Sequence, residues 1–231
     1  QGVCDAGLTV LDLGMAGTEE MYWAVTEFGA SAGIEVTASH NPINYNGLKI
    51  VKSGSRPLDD ADDFRVIKHL AEVADWSEGP GVLSVKDISV AAREKYVKRV
   101  LSFVDVGALR PLRVVVNSGN GAAGPSFDAI AAELDRRGAS IEFIRVHHAP
   151  DHTFPNGIPN PLLPENHAVT ADVVVREDAD LGVAFDGDFD RCFFFDGRGQ
   201  FVPGEYVVGL LASVFLDREA GAKIAHDPRV V

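Results

Sequence analysis

A serine beside an imidazole, with an amine nearby in space, is the raw material of an activated nucleophile. Thr37-Ala38-Ser39-His40-Asn41-Pro42 supplies the first two, and Lys49 lies ten residues beyond Ser39. Gly33–Thr37 reads as a strand and Asn41-Pro42 as a turn, so Ser39 falls at a strand end. Strand ends are where α/β sheets bind ligands. Lys49 opens the next predicted strand, Leu48–Val51, close enough to return to the same loop. No Gly-x-Ser-x-Gly surrounds Ser39, so this is not a hydrolase elbow. The bland alternative is a Ser/Asn-rich turn with His40 simply exposed.

A second cluster is Asp186-Gly187-Asp188-Phe189-Asp190-Arg191. Alternate residues of an extended loop point the same way, so the three carboxylates converge. Two carboxylates about 5 Å apart repel by roughly 3 kcal/mol at an effective dielectric of 20, and a third adds to that. Such a cluster calls for a cation, and all-oxygen ligation suits Mg²⁺. An EF-hand starting at Asp186 needs Gly at its sixth position and Glu at its twelfth, where this chain has Arg191 and Gly197. The alternative is a solvated acidic hairpin, but the apolar flanks Leu181–Phe185 and Cys192–Phe195 predict buried strands on both sides.

Gly119-Asn120-Gly121-Ala122-Ala123-Gly124 matches the dinucleotide fingerprint, with Glu142 about twenty residues beyond its second glycine. Glu142 falls at the start of the following strand, however, and a nucleotide reading leaves Ser39 and the aspartates without a role. A tight turn that lets a helix pack closely on its strand explains the glycines better. An NAD(P)-binding oxidoreductase and a non-catalytic metal-binding module stand as the rival functions.

These loops need a scaffold, and strand and helix signals alternate along the chain as in an α/β fold. Leu8–Leu13 reads as a strand, and Thr18 as the start of a helix running to about Phe28. Asp59–Ala74 and Val90–Val104 have helical periodicity. A new unit starts near Leu109–Pro111, with a strand at Leu112–Val116, a helix at Pro125–Gly138 and a strand at Ile141–Val146. The five prolines between His147 and Pro164 predict a long irregular loop, which marks a functional or tightly packed segment. Helices are expected at Glu165–Glu177 and Gly204–Leu216. Gln1–Gly7 reads as the last turn of a helix, and Lys223–Val231 as an opening strand, so the chain reads as cut before both ends of a longer protein.

A formal charge of −13 argues against sequence-independent nucleic-acid binding, which needs lysines and arginines to neutralise phosphates. It also means that an anionic substrate requires a local cation. Cys4 and Cys192 form neither a disulfide framework nor a metal motif. No stretch reads as a membrane span or a signal peptide, so the expected setting is the cytoplasm, without membrane partners.

Taken together, Thr37–Pro42 with Lys49, Asn117–Gly124, Phe154–Pro164 and Ala184–Arg191 resemble the α-D-phosphohexomutase family in order and spacing. Gly14–Val25, Tyr45–Val51 and Asn156–Glu165 look most like its phosphomannomutase branch, with the phosphoglucomutases next. The resemblance implies two mixed-sheet α/β domains, the first one partial, and the start of a third. The implied divisions are 1–107 for the phosphoserine domain, 108–203 for the metal-loop domain and 204–231 for a sugar-binding domain. Ser39 would be the phosphorylated residue, and Asp186, Asp188 and Asp190 would hold Mg²⁺ together with a phosphoserine oxygen. Lys49 would be the general acid/base, its pKa depressed by the crowding of metal and arginine, with His40 and Arg191 in support. The implied substrate is a hexose phosphate, the implied activator a hexose 1,6-bisphosphate, and the protein a monomer or homodimer. This portion alone is expected to be inactive.

Overall fold

The structure, a computed structural model, describes residues 1–73 and 84–225. The chain opens with a helical turn, α1 (Gly2–Asp5), the strand β1 (Val10–Asp12) and the helix α2 (Thr18–Glu27). Strands β2 (Ala32–Val36) and β3 (Leu48–Lys52) pair antiparallel, with the short β4 (Arg56–Pro57) beside β3. A π-helical turn at Asp60–Phe64 leads into α3 (Arg65–Val73). Strand β5 (Val85–Asp87) lies parallel to β1, and α4 (Ser89–Val100) follows. Then come β6 (Leu112–Asn117), α5 (Ala123–Arg136), β7 (Ile141–Val146) and α6 (Ala168–Arg176). Strands β8 (Leu181–Phe185), β9 (Cys192–Asp196) and β10 (Phe201–Val202) precede the last helix, α7 (Gly204–Arg218).

The α/β expectation holds, with parallel and antiparallel pairing both present. Strands of the later part form one five-stranded sheet in the order β10-β9-β8-β6-β7. Within it β7, β6 and β8 run parallel, while β9 and β10 run antiparallel. The run Val114-Val115-Val116 in β6 is continuously buried, as a parallel strand covered on both faces must be. On one side Val115, Val174 of α6, Ala184 and Phe195 form a core. Elsewhere α4 sets Val97 and Leu101 against Leu134 of α5.

The earlier part has a smaller core, in which Met21 and Val25 of α2 pack on Val51 of β3. Side chains alternate along a strand, so Lys49 shares the face of Val51 and points toward α2. The β2–β3 register sets Glu35 opposite Lys49 and Gly33 opposite Val51 on that same face. This alternation delivers Lys49 to the site.

Most expected elements stand within a residue or two, and the departures have simple causes. Strands β4, β5 and β10 are two or three residues long, too short to show an alternating pattern. Gly17, not Thr18, caps α2, with the Glu20 side chain accepting from the Gly17 N–H at 3.1 Å. Thr18 is thereby freed for the site. Helix α4 stops at Val100, where a 3₁₀ turn at Leu101–Phe103 takes over. Lys223–Ala225 form no strand, and the rest of that predicted element lies outside the described residues, as does Ala74.

Candidate active site

Three loops leave the carboxyl ends of the parallel strands at one edge of the five-stranded sheet. They are the glycine turn after β6, the proline-rich segment after β7 and the acidic turn after β8. The serine loop after β2 reaches this edge from the earlier part of the chain.

Ser39 sits at φ +53, a left-handed conformation unusual for a residue with a side chain. Its N–H donates to Thr37 Oγ1 at 2.8 Å, which holds the loop in this form. The Ser39 hydroxyl donates to Asp186 Oδ2 at 2.8 Å and accepts from Arg191 Nη2 at 2.8 Å. His40 Nδ1 lies 3.1 Å from the same oxygen and also meets Arg191 Nη2. Arginine can only donate, so Nδ1 accepts and the ring proton resides on Nε2.

Asp186 and Asp188 are buried, while Asp190 is exposed. One carboxylate oxygen from each lies within 4.8 Å of the other two. Asp186 takes the Arg191 N–H on Oδ1 at 3.1 Å and the Arg191 guanidinium on Oδ2. Lys49 Nζ bridges Asp188 Oδ2 at 2.6 Å and Asp190 Oδ2 at 2.7 Å. The structure thus brings Ser39, His40, Lys49, Arg191 and all three aspartates into one cluster.

The electrostatics follow from burial set against partners. Burial raises the Asp186 carboxyl above its usual range, and Ser39 and Arg191 only partly offset this. Burial would raise Asp188 too, but the Lys49 hydrogen bond and charge bring it below its usual value. The expected depression of Lys49 is corrected here. Burial alone would lower it, yet the hydrogen bonds to Asp188 and Asp190 carry it above its ordinary value.

Glu35 is a titrating group that sequence patterning did not reveal, because strand registry rather than a motif places it beside the cluster. Burial, then the charges of Asp188 and Glu20, push it up to about 7 from 4.5, with Lys49 opposing. The folded state therefore holds this proton more tightly than the unfolded chain. Its stabilising effect is greatest below pH 4.5 and declines as pH rises toward 7, beyond which the full penalty remains. Glu35→Gln should flatten that decline. In urea titrations at about pH 8 the variant should exceed wild type by about 1–2 kcal/mol, less than the full value of such a shift because the group is partly exposed. Parallel pH profiles for the two proteins would contradict this.

The acidic cluster suits a hard divalent cation on two grounds. Its donors are all carboxylate oxygens at mutual distances that one ion spans. Moreover, Asp188 Oδ1 is buried with no hydrogen-bond partner among the described residues, and an unpartnered buried carboxylate oxygen is costly. Magnesium fits both.

The glycine turn serves packing. A side chain at Gly121 would lie 2.5 Å from the Gly187 carbonyl oxygen, and the Ala122 N–H donates to that carbonyl at 2.9 Å. The close approach that a pyrophosphate would need is already taken by the acidic turn. The proline-rich segment is packed against it: Pro159 abuts Gly119, and Asn156 Nδ2 donates to Asn120 Oδ1 at 2.8 Å. Thr18 and Thr37 also reach Asp188. Thr37 lies inside the serine motif, but nothing in the spacing marks Thr18.

Sequence and structure comparisons identify relatives of the chain. The family described as phosphoglucomutase/phosphomannomutase, alpha/beta/alpha domain I, matches residues 1–75, and its domain II matches residues 94–199. A phosphomannomutase of Salmonella montevideo is 52% identical over 230 residues, covering 100% of this chain and 50% of that protein. A phosphomannomutase of Escherichia coli (strain K12) is 51% identical, with 100% and 50% covered. The chain thus spans about half the length of the curated relatives it matches. The crystal structure of a phosphoglucomutase/phosphomannomutase family protein from Burkholderia thailandensis superposes with a TM-score of 0.78 at 32% identity, covering 96% of this chain and 47% of that one. With both domain matches spanning the serine loop and the acidic turn, the chain belongs to the phosphoglucomutase/phosphomannomutase family.

Proposed function

We propose that this chain carries the phosphoserine and metal-binding parts of a phosphomannomutase, which interconverts mannose 6-phosphate and mannose 1-phosphate. The observation that carries the reading is the Ser39 hydroxyl, 2.8 Å from both Asp186 and Arg191 at the edge of the acidic triad. Curated relatives bearing that enzyme's name support mannose over glucose.

In this reading Ser39 is phosphorylated in the resting enzyme. Its Oγ–P bond breaks as a new P–O bond forms to the free hydroxyl of a hexose monophosphate. The resulting hexose 1,6-bisphosphate turns in the site and returns its other phosphoryl group to Ser39, whose hydroxyl proton passes to its acceptor Asp186 and returns when the serine oxygen next leaves. Lys49, an ammonium here, supplies the proton for the sugar oxygen that leaves in this return and recovers one from the next incoming hydroxyl. Arg191 orients the serine oxygen, His40 Nδ1 holds the same guanidinium nitrogen in place, and the guanidinium offsets charge on the transferring phosphoryl group. Asp186, Asp188 and Asp190 would hold Mg²⁺, which supplies charge neutralisation for phosphoryl transfer.

The reading assigns 1–107 to the serine, 108–203 to the acidic turn and 204–231 to a further unit. It also implies the cytoplasm, since charged hexose phosphates do not cross a bilayer unaided. Among the described residues no helix is long and apolar enough to cross a membrane.

Calorimetric titration with Mg²⁺ tests the metal assignment directly. Asp188→Asn removes one anionic ligand and should weaken binding by about 10-fold or more. Equal affinities for wild type and variant would reduce the aspartates to a surface acid cluster and remove the basis of the reading.

A further inference from the structure

Asp188 engages the protein side chains around it through one carboxylate oxygen. Oδ2 accepts from Thr18 Oγ1 at 3.1 Å, Thr37 Oγ1 at 3.0 Å and Lys49 Nζ at 2.6 Å, while Oδ1 is buried and has no hydrogen-bond partner among the described residues. Chemistry fixes the direction of both hydroxyl bonds. An ammonium only donates, so Thr18 Oγ1 accepts from Lys49 at 3.1 Å and sends its own proton to Asp188. The Ser39 N–H donates to Thr37 Oγ1 at 2.8 Å, which leaves the Thr37 proton for Asp188 as well.

Thr18 is fully buried and holds Asp188 twice, its N–H also donating to the Asp188 carbonyl at 3.2 Å. Three donors occupy the lone pairs of Oδ2. The free lone pairs of this side chain are those of Oδ1.

From this arrangement we infer that Thr18 and Thr37 are positioning residues for the cation: their hydroxyls saturate Asp188 Oδ2, fix the carboxylate plane and reserve Oδ1 as the metal ligand. The inference rests on the metal-binding reading above and adds residues to it. Thr37 also ties the Ser39 backbone to the metal ligand through a single hydroxyl, so nucleophile and cation are placed by one group. Groups that orient a ligand from behind typically contribute 10- to 100-fold in metal affinity.

Paired substitutions separate this role from packing. Valine keeps the shape of threonine without the hydroxyl, and serine keeps the hydroxyl without the methyl. Mn²⁺ affinity of the full chain, read from the electron paramagnetic resonance signal of free Mn²⁺, should fall about 10-fold in Thr18→Val and in Thr37→Val. Thr18→Ser and Thr37→Ser should bind within a few-fold of wild type. The reverse order, with valine tolerated and serine weak, would assign the threonines to packing and overturn the proposal. If Thr18→Val does not fold by circular dichroism, the half-buried Thr37 decides by the same comparison. A wild-type chain that binds no Mn²⁺ overturns the metal reading itself, whereas wild-type-like valine variants overturn only the role of the hydroxyls.

Discussion

Ser39→Ala should abolish phosphate uptake from a hexose 1,6-bisphosphate, read as loss of the phosphate adduct by intact mass spectrometry. The hydroxyl is the group that Arg191 and Asp186 converge on, and its neighbours are poorly suited to replace it. His40 Nδ1 is engaged by Arg191, and Lys49 is held as an ammonium by two carboxylates. Neither presents a free lone pair to an incoming phosphoryl group. The fold should survive. Ser39 lies in a loop, and removing its hydroxyl costs about 1 kcal/mol of hydrogen bonding, while the N–H bond to Thr37 that holds the backbone remains. Circular dichroism should therefore match wild type while the adduct disappears. An adduct persisting on the alanine variant would move the nucleophile elsewhere and undo the proposed mechanism.

How much of this site could be read from sequence depends on how each residue is placed. Ser39 and the aspartates belong to short local motifs; alternation along the acidic loop marks the three carboxylates as converging, and the family resemblance joins Ser39 to them. Lys49 was legible because it opens the strand that follows the serine loop, and the structure shows it on the face of Val51, which an apolar core holds against α2. Thr18 was legible only as a helix start. Its contact with Asp188 spans 170 residues, which no local pattern encodes. Glu35 is hidden for the same reason: its surroundings come from β-sheet registry and from the other half of the chain. The direction of the Lys49 shift is not written in the sequence, because its two hydrogen-bonding carboxylates lie about 140 residues away. The fold instead sets Asp188 and Asp190 at hydrogen-bonding distance from the amine, and these raise its pKa.

Docking between the two halves is also where a single added methyl group should do the most damage. Gly187 separates Asp186 from Asp188, and a Cβ there would stand 2.2 Å from the Ser39 carbonyl oxygen. The opposing atom is backbone, so no side chain can rotate away. Retreat in the other direction is closed as well, because the Gly187 carbonyl is bonded to the Ala122 N–H at 2.9 Å and abuts Gly121. The residue is clamped between the serine loop and the glycine turn, and Gly187→Ala must force them apart by about 1 Å to reach ordinary contact. That displacement is enough to break the 2.8 Å bond from Ser39 to Asp186. Misplacement of this size typically costs about 100-fold in rate, and overpacking adds about 1–3 kcal/mol of destabilisation. Phosphate uptake by Gly187→Ala should accordingly fall about 100-fold, with a lowered urea midpoint. Gly204→Ala is the matched control, since nothing among the described residues lies within 4 Å of its added carbon, and it should behave as wild type. Uptake by Gly187→Ala at the wild-type rate would mean that the serine loop and the acidic turn do not act at the separation seen here.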